Sequence, residues 1–141
     1  MNNRLGANTI KLRPQALGND TVSRTRLLAR LDARRPLTLV EAPAGYGKTT
    51  LIIDWLAHAK APYAWLTLDE YDNVPTTFVA YLLSSIRTLF PGACPETLAL
   101  LNAGSAPPDS FIAMTFTQEV ASLGSHLVLV LDEYHCIKNL A

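Results

Sequence analysis

The sequence predicts an α/β fold with a parallel sheet and flanking helices. Three apolar runs, at residues 37–41, 63–68 and 127–131, are predicted as strands, and helical patterns separate them. The run at 127–131 is apolar at every position, which is typical of a strand that is covered on both faces. Strands that alternate with helices favour a parallel arrangement, and 141 residues suffice for about one domain.

Before the first strand, the chain is predicted to form an extended lead-in over residues 1–20 and then a helix. Thr21 or Ser23 can cap that helix, whose apolar side carries Leu27, Leu28 and Leu31. We therefore assign the domain itself to residues 21–141.

Three further helices are predicted from apolar periodicity and from the glycines and prolines that bound them. The first begins near Lys48, ends before Pro62 and buries Ile52, Trp55, Leu56 and Ala59. The second follows Pro75 and buries a face formed by Phe78, Tyr81, Leu82, Ile86 and Leu89. The third begins at Asp109, ends at Gly124 and buries Ile112, Phe116, Val120 and Leu123. Residues 93–108 are predicted to be loop-like.

The segment between the first strand and the next helix has the pattern of a phosphate-binding loop. It reads Ala42-Pro43-Ala44-Gly45-Tyr46-Gly47-Lys48-Thr49-Thr50. Gly45 and Gly47 allow positive φ, so that main-chain N–H groups turn toward one anion, and the following helix adds its positive end. Lys48 would reach the β- and γ-phosphates of ATP, and Thr49 would ligate Mg²⁺. We therefore predict that every residue from Ala44 to Thr50, including Tyr46, contacts the bound nucleotide.

The third predicted strand ends in acids, at the sheet edge where a phosphate loop is expected to lie. An acidic residue at that position holds Mg²⁺ in nucleotide hydrolases, a role that we assign to Asp132. Glu133 is expected to face the other way along the strand and to act as the catalytic carboxylate that polarises the attacking water.

Other polar residues near the strand ends receive no such role. Asp69, Glu70 and Asp72 follow the second strand and are expected to form a solvated loop that could border the nucleotide. His135 and Cys136 are adjacent and lack a partner pair, so by themselves they cannot build a tetrahedral metal site.

Composition excludes several classes of partner. Twelve Lys and Arg residues balance twelve Asp and Glu residues, so no net charge attracts nucleic acid or anionic lipid. Two cysteines, Cys94 and Cys136, do not form a disulfide framework and fit a reducing compartment. The N-terminus lacks the apolar stretch of a signal peptide, and no run reaches transmembrane length. We therefore expect a cytoplasmic chain without a membrane partner.

Three segments together resemble the large, MalT-like ATP-binding transcription regulators of the LuxR type, which are STAND-class P-loop NTPases. They are the loop at 42–51, the segment Trp65-Leu66-Thr67-Leu68-Asp69-Glu70 with Asp72-Asn73, and Leu129-Val130-Leu131-Asp132-Glu133-Tyr134-His135. The likeness runs from about Thr21 to the end of the chain. Ala42 fits it, because this family often has a small residue other than glycine at that position.

The resemblance implies a signal-responsive switch in which ATP, bound with Mg²⁺, and an inducer together drive self-association and transcription activation. Lys48 and Thr49 would belong to its Walker A motif and Asp132 to its Walker B motif, with at most slow ATP hydrolysis. The family contacts adenine just before the first strand, which assigns Val22 and Arg24 to the nucleotide. Ser23 and Thr25 depart there from the usual glycine and acid.

The resemblance also implies a fragment that lacks the sensor and DNA-binding domains, with DNA bound only through a C-terminal domain outside this chain. Related NTPases place a fourth strand between the phosphate-loop strand and the acidic strand. Without that strand, Leu39 and Leu129 would lack neighbours, and the chain alone is expected to be poorly stable and nearly inactive.

Two other functions stay open from the sequence. One is a small P-loop kinase that transfers phosphate to a metabolite, although such kinases carry several arginines in a lid, and Arg87 is the only Lys or Arg between Lys60 and Lys138. The other is a degenerate scaffold that no longer binds nucleotide.

Overall fold

A computed structural model describes residues 9–15, 24–33, 36–43, 45, 47–105 and 107–138. The chain divides into two compact units, one formed by residues 1–13 with 62–141 and the other by residues 14–61. The described residues form five α-helices and a two-stranded parallel sheet, which agrees with the predicted α/β class. None of the helices in these ranges is long and apolar enough to cross a membrane.

The unit formed by residues 14–61 contains two helices, α1 (Thr25–Leu31) and α2 (Lys48–Ala59). Both were predicted, although the residue that precedes α1 is Arg24 and the proposed caps Thr21 and Ser23 lie outside the described residues. The indole Nε1 of Trp55 in α2 donates to Asp32 Oδ1 at 2.8 Å, just after the end of α1. This hydrogen bond ties α2 to the end of α1.

The predicted strand at 37–41 is wrong. Residues 37–43 have no regular secondary structure, and the side chains of Leu37 and Leu39 are 85% and 67% exposed. A strand persists only when its N–H and C=O groups pair with a neighbouring strand. Among the described residues, the sheet contains two strands from elsewhere in the chain, so apolar sequence alone did not make this segment a strand.

In the other unit, β1 (Tyr63–Thr67) pairs in parallel with β2 (Val128–Asp132). These bounds match two of the predicted strands to within one residue. The N–H of Leu68 donates to the carbonyl of Asp132 at 2.9 Å and extends the ladder at the carboxyl end. Trp65 and Leu66 in β1 are fully buried, whereas Leu129 in β2 is 38% exposed.

Three helices cover this sheet unit: α3 (Pro75–Arg87), α4 (Pro95–Leu101) and α5 (Asp109–Ala121). The second and third of the predicted long helices correspond to α3 and α5. A buried cluster joins all three helices, with Val79, Ala80, Leu83, Ile86, Ala93, Cys94, Leu101 and Ile112 at its centre. Leu66 and Leu68 pack with Leu82 of α3, which joins the strand to the helical layer.

Helix α4 corrects the prediction of a loop over 93–108, and its cap comes from another helix. Its own N-cap residue, Cys94, forms no side-chain cap. Instead, Glu119 of α5 accepts hydrogen bonds from the main-chain N–H groups of Glu96 and Thr97, both at 2.9 Å, and from Thr97 Oγ1 at 2.6 Å. Burial alone would raise the pKa of Glu119, but these hydrogen bonds and the charge of Arg87 hold it below its ordinary value.

Residues 9–12 form a 3-10 helix that carries a buried charge, a local structure that the sequence pattern did not predict. Lys11 Nζ lies 2.6 Å from Asp72 Oδ2 and 2.9 Å from Asp69 Oδ2, and 4.1 Å from the centroid of the Tyr81 ring. The Lys11 and Asp72 side chains are 8% and 0% exposed, so the expectation of a solvated loop is wrong for Asp72.

The charges explain why this lysine tolerates burial. Burial alone would lower the pKa of Lys11, but hydrogen bonds and charge attraction from Asp72 and Asp69 raise it above its ordinary value. The same contact lowers the pKa of Asp69 against the effect of its own burial. Residues 9–12 are therefore anchored to the loop after β1 by an ion triad.

We expect Lys11→Met to lower the free energy of unfolding by about 3 kcal/mol, because it leaves a buried carboxylate at Asp72 without its cation. Methionine keeps most of the apolar length of the lysine side chain, so the loss of stability is caused by removal of the positive charge. Urea unfolding followed by circular dichroism measures it, with Arg13→Met at an exposed position of the same segment as control. Equal stability of the two variants would contradict the assignment.

We expect Glu119→Gln to lower the free energy of unfolding by about 1–2 kcal/mol at neutral pH, because the first turn of α4 loses a charged acceptor. A lowered pKa means that the wild type holds this stabilisation above the unfolded-state value of about 4.3 and loses it as pH falls through the folded-state value. The difference in the free energy of unfolding between wild type and variant should therefore become smaller in acid.

Urea unfolding repeated at stepwise lower pH measures this gap. Gln118→Ala, on the exposed neighbour in α5, is the matched control and should show a pH dependence parallel to wild type. A gap that stays constant into acid would show that the Glu119 charge does not cap α4.

Candidate functional site

The glycine turn before α2 has the backbone of an anion cradle. Gly45 and Gly47 have φ values of 86° and 74°, a region that only glycine adopts at little cost. Gly47 is the N-cap of α2, and the N–H of Leu51 donates to its carbonyl at 2.9 Å. Because glycine has no side chain, no side-chain cap closes the first turn, and its N–H groups suit an anion.

Two cationic side chains belong to this turn. Lys48, the first residue of α2, donates from Nζ to the carbonyl of Ala42. The guanidinium of Arg24 lies against Gly47, with Nη2 3.0 Å from where a Cβ on that glycine would lie. The structure therefore brings Arg24, which the family resemblance assigned to the adenine of the nucleotide, beside the glycine turn.

The remaining predicted contacts in this unit lie partly outside the described residues. Thr49 and Thr50 occupy the first turn of α2 and are half-buried. Ala44, Tyr46 and Val22 belong to positions that the structure does not describe. The positive-φ glycines, the helix start and the two cations together suit an anion, because they supply N–H donors and positive charge.

The acidic turn differs from the prediction in one respect. Asp132 is the last residue of β2, as expected, and its Oδ1 accepts from the N–H of Glu133 at 3.0 Å. Glu133 has left the strand: its φ of 59° and ψ of 37° are left-handed, and it precedes a 3-10 helix at Tyr134–Cys136. The expectation that Glu133 faces the opposite side of the strand is therefore wrong, because the chain turns there.

Glu133 contacts His135 instead. Its Oε2 lies 3.2 Å from His135 Nε2, and the two side chains are 47% and 74% exposed. Glu133, His135 and Cys136 each offer a ligand atom, and these atoms lie within 4.8 Å of one another. His135 and Cys136 are two adjacent donors in the sequence, and the left-handed turn at Glu133 adds a third.

Asn73 joins the loop after β1 to this turn, a role that sequence reasoning missed. Its Nδ2 donates to the carbonyls of Glu70 at 3.0 Å and Cys136 at 2.8 Å, and its Oδ1 accepts from the N–H of Lys138 at 2.7 Å. The available signal was an amide side chain just beyond a strand end. An amide suits the task because it donates and accepts at once.

The two halves of the predicted site belong to different units. The glycine turn, Lys48 and Arg24 belong to residues 14–61, and Asp132 and Glu133 belong to the unit with the sheet. Their joint action on Mg²⁺ stays a prediction.

Comparison with known proteins identifies a group of relatives. The chain is 41% identical over 129 residues to the HTH-type transcriptional regulator MalT of Serratia proteamaculans (strain 568). It is 40% identical over 129 residues to the protein of that name in Yersinia enterocolitica, and 41% over 122 residues to that of Cronobacter sakazakii. The first alignment covers 90% of this chain and 14% of the relative. No family model matches the chain.

We expect Asn73→Ala to lower the free energy of unfolding by about 2 kcal/mol, because it removes three side-chain hydrogen bonds, two of which join the two loops. The N–H of Lys138 should lose protection from hydrogen exchange before the strand ladder does. Asn102→Ala, at an exposed position after α4, is the control. Unchanged exchange at Lys138 in the Asn73 variant would contradict the role of Asn73 as a tie.

Proposed function

We propose that this chain, which is MalT-like over nine tenths of its length, is the ATP-binding module of a signal-responsive transcription regulator. The observation that carries the proposal is the glycine turn at the start of α2, where Lys48 and Arg24 supply positive charge. The chain spans 14% of the length of the Serratia and Yersinia relatives named above. We propose sensing and self-association for the complete regulator of which this chain is a part. DNA would be bound through a domain outside these residues.

Each residue of the turn has a defined part in holding the triphosphate. The main-chain N–H groups of the turn and of the first helical turn donate to phosphate oxygens. Lys48 exchanges its present acceptor, the carbonyl of Ala42, for a phosphate oxygen, which is a stronger acceptor because it is charged. Arg24 lies close enough to Gly47 to place its planar guanidinium on the same group of oxygens.

Mg²⁺, when bound with ATP, neutralises phosphate charge, and Thr49 and Asp132 are the residues assigned to hold it. Thr49 lies in the first turn of α2, and Asp132 is the last residue of β2. Glu133 presents an exposed carboxylate one residue later, which can accept a proton from water. We expect ATP hydrolysis to be slow, as a molecular switch requires. We expect the protein to act in the cytoplasm.

The kinase alternative is less well supported. Arg87, the only Lys or Arg between Lys60 and Lys138, donates from Nε to the carbonyl of Ala93 at 2.8 Å and so holds the connection between α3 and α4. A side chain engaged in this way does not supply a mobile arginine for a phosphate lid. The described residues between Lys60 and Lys138 therefore supply no arginine for the lid that a kinase of this type needs.

We expect Lys48→Ala and Arg24→Ala each to weaken binding of a fluorescent ATP analogue by about tenfold or more, because each removes a charge-assisted hydrogen bond. The control for the second variant is Arg26→Ala, at an exposed position of α1 that has the same charge. Titration in the presence of Mg²⁺ measures the affinities. Wild-type affinity in Lys48→Ala would overturn the proposal and favour a scaffold that does not bind nucleotide.

A further inference from the structure

The turn after β2 gathers three metal-ligating side chains of different chemistry. Glu133 offers a carboxylate oxygen, His135 an imidazole nitrogen and Cys136 a thiol, all within 4.8 Å of one another. The two exposed side chains, Glu133 and His135, are open to an ion from solvent, and Cys136 is half-buried. No role in nucleotide binding uses the thiol or the imidazole.

The backbone explains how neighbours in sequence come to face one point. Glu133 is left-handed, so the chain reverses direction at that residue and enters the 3-10 helix Tyr134–Cys136. Glu133 and Cys136 are the i and i+3 residues of the hydrogen bond that begins this 3-10 helix, so the two residues lie at the ends of one tight turn. The N–H of Cys136 donates to the carbonyl of Glu133 at 2.9 Å and closes this turn.

The turn is held from outside as well. Asn73 Nδ2 donates to the carbonyl of Cys136 at 2.8 Å, and Asn73 Oδ1 accepts from Lys138 N–H at 2.7 Å. The carbonyl of Tyr134 accepts from the N–H of Ile137 at 3.0 Å. A turn fixed at several points holds its side chains near a common position before an ion arrives, which lowers the entropy lost on binding.

We propose that Glu133, His135 and Cys136 form a binding site for Zn²⁺. A mixed oxygen, nitrogen and sulfur donor set is typical of Zn²⁺, whereas Mg²⁺ and Ca²⁺ take oxygen ligands. Tetrahedral Zn²⁺ with bonds of about 2.0–2.3 Å needs its ligand atoms somewhat closer together than 4.8 Å. Exposed side chains reach that spacing by rotation about χ angles, and three protein ligands leave the fourth position to water.

The metal site shares Glu133 with the proposed nucleotide function, but it needs no nucleotide to bind an ion. Zn²⁺ at this turn occupies the Glu133 carboxylate, which then no longer accepts a proton from water. A test made without nucleotide therefore separates failure of the metal site from failure of the ATP-binding proposal.

The experiment titrates Co²⁺, a coloured substitute for Zn²⁺, into the whole chain with its thiols reduced and without nucleotide. We expect one ion per chain, an absorption band from cobalt–thiolate charge transfer, and its loss when Zn²⁺ is added. Cys136→Ser should abolish the band, and His135→Gln and Glu133→Gln should each weaken binding by about tenfold or more. Cys94→Ser and His126→Gln, matched in chemistry and away from the turn, should leave it unchanged.

Three results would overturn the site. They are no thiolate band in the wild type, a band that survives Cys136→Ser, or an affinity that is the same in urea, where the turn is unfolded. Circular dichroism of each variant reports folding. If Cys136→Ser is unfolded, Glu133→Gln decides the question, because its exposed side chain can be changed without disturbing the core.

Discussion

Five residue pairs in parallel register, from Tyr63 with Val128 to Thr67 with Asp132, join the two strands of the sheet unit. Parallel strands end at the same edge, so this register places the loop that follows β1 beside the turn that follows β2. The Asn73 tie, the Leu68 to Asp132 hydrogen bond and the position of Glu133 all depend on that alignment. A slip of one residue would turn every side chain of the strand to the opposite face.

Carboxylates are concentrated at the same edge of the sheet, and one cation from a distant segment of the sequence pairs with two of them. Asp69 and Asp72 lie in the loop after β1, and Lys11 reaches both from the other end of the unit's sequence. Desolvating a lysine alone is unfavourable, and desolvating Asp72 alone is equally so. Together they are stable, which explains why a segment of only four helical residues remains in place.

The glycine turn before α2 differs from this ion triad, because its geometry depends on residues that are neighbours in sequence. Gly45 and Gly47 adopt left-handed conformations that their own lack of a side chain permits, and a helix start follows at once. Such a cradle depends little on the rest of the fold. The segment before it shows the contrast: residues 37–41 are as apolar as a strand, yet a strand requires a partner ladder, and Leu37 and Leu39 remain exposed.

Local chemistry decided what the sequence could reveal by itself: α1, α2, α3, α5 and the two strands, the glycine turn and the position of Asp132 at a strand end. Apolar periodicity, prolines and glycines act over a few residues, so their effects can be predicted from the sequence alone. Tertiary structure alone decided the rest. Helix α4 needs a cap from Glu119, Asp72 is buried because Lys11 reaches it, and Glu133 joins His135 and Cys136 because the chain turns after β2. Each of these depends on a backbone turn or on contacts between residues far apart in sequence, which no local pattern encodes.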